Sequence, residues 1–160
     1  MLIERLLSSA DSLRSTRVHV RVDRHYSRFI SRRPMRSDLT ALLPRDKLDS
    51  EKVKAIVALG FPAVEPILPA LLEWMQDINW PVAQALQPFL AGIGAPLAPH
   101  IRRVLETDDD VWKNWVLSCI VVKSPELQTM LRADIERLAT RPTRGEQAEE
   151  LDILARQIVG

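Results

Sequence analysis

A chain of 160 residues, 46% hydrophobic and 27% charged, specifies one ordinary globular core and excludes a disordered chain. Its single cysteine, Cys119, excludes an internal disulfide and a thiolate zinc site and agrees with a reducing, cytoplasmic compartment; no apolar run reaches the roughly 18 residues that span a bilayer. The net charge of +1 divides into +6 over residues 1–48 (11 Lys/Arg against 5 Asp/Glu) and −5 over residues 49–160 (11 against 16), which disfavours nucleic acid as the partner of the larger part.

Residues 1–34 carry eight arginines and no lysine. Leu2, Ile3, Leu6, Leu7, Ala10 and Leu13 have helical spacing, whereas residues 17–22 alternate like a strand with no partner strand elsewhere. The expectation is a basic, weakly ordered N-terminal extension. A targeting or membrane-surface helix and a nucleic-acid-binding arm compete with the plain reading of an accessory extension, which is preferred because Met35 stands directly before the part that reads as folded.

From residue 35 the pattern is helical. Residues 42–49 form an ordered lead-in in which Asp46 and Asp49 are placed to cap a helix, and residues 50–59 predict that helix with Val53, Ile56 and Val57 inward and Gly60 at its C-terminal turn. Residues 61–74 hold three prolines, of which Pro62 suits a first helical position, so a short opening turn leads into a helix that ends near Gln76. Asn79 is the predicted cap of a helix that Pro81 opens, Pro88 kinks and Gly94 ends.

An internal repeat follows from this series. Gly60, Pro62, Ile67 and Leu71 match Gly94, Pro96, Ile101 and Leu105 at an offset of 34, and Asp77 and Trp80 match Asp109 and Trp112 at an offset of 32. Such periods belong to stacked helical hairpins that cannot each bury their own apolar face. Residues 111–123 predict an apolar, deeply buried helix with Asp108, Asp109 and Asp110 at its positive end. Ser124-Pro125-Glu126 starts a helix with Leu127, Leu131, Ile135 and Leu138 inward. Thr143 and Glu146 form a capping box for a final helix with Ala148, Leu151, Leu154, Ala155 and Ile158 inward.

The predicted fold is all-α, an α-α superhelix of stacked HEAT-like helical hairpins with about seven helices after residue 49, in a domain of residues 35–160. Leu43-Pro44-Arg45-Asp46-Lys47, Gly60-Phe61-Pro62-Ala63-Val64-Glu65-Pro66, Gln76-Asp77-Ile78-Asn79-Trp80-Pro81-Val82-Ala83 and Asp109-Asp110-Val111-Trp112-Lys113 together resemble a bacterial family of domains of unknown function, DUF5071, over roughly residues 40–158. The resemblance implies an α-α superhelix and brings no catalytic residue with it.

No catalytic constellation stands out. His19 and His25 lack the spacing of a zinc pair, His100 has no second ligand fixed beside it, Asp108 to Asp110 lack a calcium-loop spacing, and Cys119 on an apolar helix reads as an inert thiol. No cofactor or metal is expected. The repeated tryptophans read first as spacers between hairpins, but Asp77, Asn79, Trp80, Trp112, Lys113 and Trp115 also form a candidate patch for a protein partner. The functional expectation is a non-catalytic protein-protein interaction module, with an immunity-like antidote as one version. The alternative is a HEAT-like nucleic-acid-binding or base-excising protein that uses the arginine-rich extension for phosphate contacts.

Overall fold

Proline sets several of the helix starts among the described residues, because its fixed φ suits the first turn and the N–H it lacks would have no helical partner there. In the computed structural model, which describes residues 36–160, Pro66, Pro69, Pro81, Pro96, Pro99 and Pro125 all hold first-turn positions. The elements are α1 (Arg36–Thr40), α2 (Ser50–Leu59), α3 (Leu68–Glu73), α4 (Pro81–Ile93), α5 (Ala98–Leu105), α6 (Asp110–Cys119), α7 (Pro125–Met130), α8 (Arg132–Thr140), α9 (Arg144–Ala148) and α10 (Leu151–Val159). Short 3-10 turns occupy Glu65–Ile67, Trp74–Gln76, Ala95–Leu97 and Val121–Lys123, and no strand occurs among the described residues. The expected extension of residues 1–34, with its two histidines, lies outside the described residues.

The all-α expectation holds, but nine α-helices rather than seven follow residue 49 among the described residues. Both additions are breaks in expected helices. Leu131 leaves helical geometry between α7 and α8 (φ −105°, ψ 11°) while remaining fully buried. Glu150 adopts a left-handed conformation (φ 56°), and its carbonyl accepts the Ile153 and Leu154 N–H groups that open α10. The expected inward position of Ala148 is consequently exposed, whereas Leu151 and Ala155 are buried.

Several other expectations are corrected. Val57 is 42% exposed, because α2 turns only the stripe with Val53 and Ile56 onto α4. Residues 111–123 are not one buried helix; α6 stops at Cys119, and Val111 and Val122 are exposed. Trp80, not Asn79, is the residue before α4, and the α4 start has no side-chain cap. Pro81 needs none, and the Val82 N–H donates to the Lys47 carbonyl at 3.2 Å, which also ties the lead-in to the repeat. Asp46 and Asp49 accept from Leu48 and Arg45 N–H within that lead-in rather than from α2. Pro62 lies in the turn after Gly60, behind a cis Phe61–Pro62 bond, and not at a helix start.

The repeat is present with a different register. Each unit passes from a positive-φ glycine (Gly60, φ 70°; Gly94, φ 71°) to a 3-10 turn and then an α-helix. The turns and helices superpose in sequence at an offset of 30, Glu65-Pro66-Ile67-Leu68-Pro69 on Ala95-Pro96-Leu97-Ala98-Pro99. Burial follows the same offset: Ile67 and Leu97, Leu68 and Ala98, Leu71 and Ile101, and Met75 and Leu105 are all buried. The offset of 34 arises because the first unit spends four more residues, 61–64, between glycine and 3-10 turn.

These helices share one apolar core, running from Leu39 through Leu71, Leu86 and Leu117 to Leu151 and Ala155. Within it α2 packs on α4, α3 on α5, α6 on the Trp74–Gln76 turn, and α10 on both α6 and α8. Arg102 joins α5 to the next layer, its Nε donating to Asp134 Oδ2 at 3.0 Å and its Nη2 to the Met130 carbonyl at 3.2 Å.

Candidate functional site

Two turns position the candidate residues. After the Trp74–Gln76 turn, the Asp77 carboxylate accepts the backbone N–H and the side-chain amide of Asn79, each at 2.9 Å. Both donors come from one residue, so Asp77 rigidifies the turn instead of capping α4. Asn79 is exposed and Asp77 half-buried. Trp80 is also half-buried, its ring edge-on to Trp74 at 5.8 Å between centroids and 71° between planes, a favourable geometry for two aromatic quadrupoles.

In the second unit, Asp109 Oδ1 accepts the Trp112 N–H at 2.9 Å as the cap of α6. The Trp112 indole N–H donates to the Leu72 carbonyl at 3.0 Å, so this ring bonds back to α3 of the preceding unit. Trp80 and Trp112 therefore both rest on the end of α3 and its 3-10 extension. Trp115 is half-buried against the core.

Lys113 does not belong to this surface. It is only 4% exposed, and its ammonium donates to Asp110 Oδ1 at 2.8 Å and to Glu146 Oε1 at 3.0 Å. Burial opposes its charge, but the two carboxylates outweigh that and hold its pKa above the ordinary lysine value. Glu146, 1% exposed, also accepts from both terminal nitrogens of Arg137 at 2.6 and 2.9 Å and from the Thr143 N–H at 2.8 Å. Burial alone would raise its pKa; the bonds from Arg137, Thr143 and Lys113 reverse the sign and lower it to about 2. The set is charge-satisfied and joins α6 to α8 and α9, so its chemistry is cohesion.

Between α3 and α5 lies a partly open cavity of about 160 Å³, lined by Pro69, Leu72 and Glu73 on one side, His100, Arg103, Val104 and Thr107 on the other, and Trp112 at the end. Burial, and then Arg103, lower the His100 pKa from the ordinary histidine value against the opposing pull of Glu65. Its Nδ1 is buried without a hydrogen-bond partner. Sequence reasoning found Trp112 but missed Glu73, Arg103 and Thr107. The offset of 30 would have paired Glu73 with Arg103 on neighbouring helices.

Cys119 is buried, with Ser118 Oγ 3.6 Å from its sulfur. Asp108 to Asp110 divide into an exposed residue, the α6 cap and the Lys113 partner. No group of three His, Cys, Asp or Glu side chains is arranged to hold a metal ion among the described residues, and no helix among them is long and apolar enough to cross a membrane.

These features define a domain that is helical among the described residues, whose buried charges are paired with one another and in which Trp112 bonds back to the preceding helical unit. Residues 42–159 match the family described as Domain of unknown function (DUF5071), and the chain belongs to that family. No curated protein matches the chain at a significant level.

Proposed function

We propose that this chain is a HEAT-like helical-repeat module without catalytic activity that binds a protein partner through the face formed by Asp77, Asn79, Trp80 and the exposed edge of Trp112. The observation that carries the reading is that two successive units bring half-buried indoles and carboxylate-bearing turns to the end of the same helix, α3, beside an open cavity. Aromatic rings anchored at one edge and accessible at the other supply interface area at little entropic cost. The repeated succession of glycine, 3-10 turn and helix supports superhelical stacking of HEAT-like hairpins. An antidote that blocks a toxin is one form the partner relation takes.

The excess of acidic residues over residues 49–160 weighs against the nucleic-acid alternative, since a groove for phosphate requires the opposite sign. Immobilised full-length chain should recover a protein partner from its native host. Recovery should fail for an Asn79→Arg, Asp77→Lys double variant whose thermal transition is unchanged. Retention of the same partner by that variant, or a salt-dependent gel shift with no protein partner, would overturn the reading.

A further inference from the structure

The cavity between α3 and α5 carries one unpaired charge on each wall. Glu73 stands on the α3 side and Arg103 on the α5 side, at equivalent places under the offset of 30. Both are exposed, yet neither side chain forms an ion pair or a hydrogen bond among the described residues. His100 lines the same α5 wall, and its Nδ1 is buried without a hydrogen-bond partner. Burial, and then the Arg103 guanidinium, lower the His100 pKa, which places these two α5 groups close together. A buried nitrogen without a partner is unfavourable, and an imidazole that no Nδ1 bond anchors can turn toward a ligand without losing one.

The rest of the lining is apolar or already engaged. Leu72 and Val104 are buried and line the cavity with Pro69, and Trp112 closes its end with the indole N–H taken by the Leu72 carbonyl. The Thr107 hydroxyl donates to the Val104 carbonyl and accepts from the Asp109 N–H. A volume of about 160 Å³ suits one leucyl or phenyl group, since a cavity of about 150 Å³ accommodates a benzene ring.

The two opposite charges select among small occupants. A carboxylate alone would meet Arg103 but face the like charge of Glu73, and an ammonium alone would meet Glu73 but face Arg103. A neutral apolar molecule would leave both charges and the His100 nitrogen unanswered. Only a molecule that joins both charges to an apolar group matches every wall.

We infer that the α3/α5 cavity binds a free α-amino acid with a branched aliphatic or aromatic side chain. Its carboxylate meets Arg103 and His100, its ammonium meets Glu73, and its side chain lies against Leu72, Val104 and Trp112. This goes beyond the partner surface, whose Asp77 and Asn79 do not line the cavity.

The test titrates ¹⁵N-labelled full-length chain with L-leucine, L-phenylalanine and glycine, and with isocaproate and isoamylamine, which are leucine without its amine and without its carboxylate. Leucine and phenylalanine should move the Trp112 indole and His100 ring signals. Glycine, isocaproate and isoamylamine should each bind at least about tenfold more weakly than leucine. Arg103→Met should abolish the advantage of leucine over isoamylamine, and Glu73→Gln its advantage over isocaproate. Both substitutions fall at exposed sites, and thermal melting verifies their folds. Isocaproate or isoamylamine binding as tightly as leucine, leucine affinity unchanged in both variants, or no movement of these signals at about 10 mM leucine overturns the inference. The analogues act on the native chain, so they decide the matter even if a variant fails to fold.

Discussion

The Lys113 ammonium lies 3.0 Å from Glu146 Oε1 with both side chains almost fully buried, that of Lys113 5% and that of Glu146 1% exposed. They are separated by 33 positions in the chain, and the pair fixes the start of α9 against the first turn of α6.

Replacing Lys113 by Met should destabilise the chain by about 3–5 kcal/mol, because Asp110 and Glu146 would keep their buried charge and lose their shared cation. Urea unfolding at neutral pH measures it. A loss below about 1 kcal/mol would place Lys113 in a solvated setting after all.

Acid sensitivity should trace to Glu146. Its folded pKa of about 2 lies below the ordinary 4.5, so its contribution is fully present above pH 4.5 and is lost as pH falls toward 2. That shift corresponds to a contribution on the order of 3 kcal/mol. Lys113 has the opposite sign: its contribution is present below its ordinary 10.5 and is lost as pH rises through the raised folded value. Unfolding free energies at pH 6, 4, 3 and 2 for the wild type and Glu146→Gln should converge toward the acid end.

The capping box over Thr143 and Glu146 was legible in the sequence because its spacing is local, and Glu146 N–H does donate to Thr143 Oγ1 at 3.1 Å. What remained hidden was that the same Glu146 is buried, since Lys113 and Arg137 reach it from other helices. The hidden partners are also why Lys113 read as a surface residue.

Gly60 and Gly94 share a φ near +70°, yet their substitutions should differ. Alanine at Gly60 meets open space and incurs only the backbone strain, about 1–3 kcal/mol. Alanine at Gly94 adds a clash with the Glu126 carboxylate, which accepts the Ala95 N–H at 3.1 Å. Gly94→Ala should therefore cost more than Gly60→Ala, and Glu126→Ala should relieve part of the excess in a double-mutant cycle.

Trp112→Phe should cost about 1 kcal/mol by removing the indole N–H bond to Leu72, measurable by thermal or chemical unfolding. A larger loss, with collapse of the fold, would assign Trp112 entirely to cohesion between the units.

By itself the sequence determined the helical class, the glycine ends, the proline starts and the existence of a repeat, because each depends on neighbours within one or two turns. Ser50–Leu59 and the final capping box came out at the predicted residues for that reason. Tertiary structure alone decided the register of 30, the breaks at Leu131 and Glu150, and the removal of Lys113 from the surface. It also placed Asp134 within reach of Arg102. The burial of Lys113 against Glu146 and the reach of Arg102 to Asp134 depend on groups brought together from more than 30 positions apart, where neither periodicity nor propensity carries information.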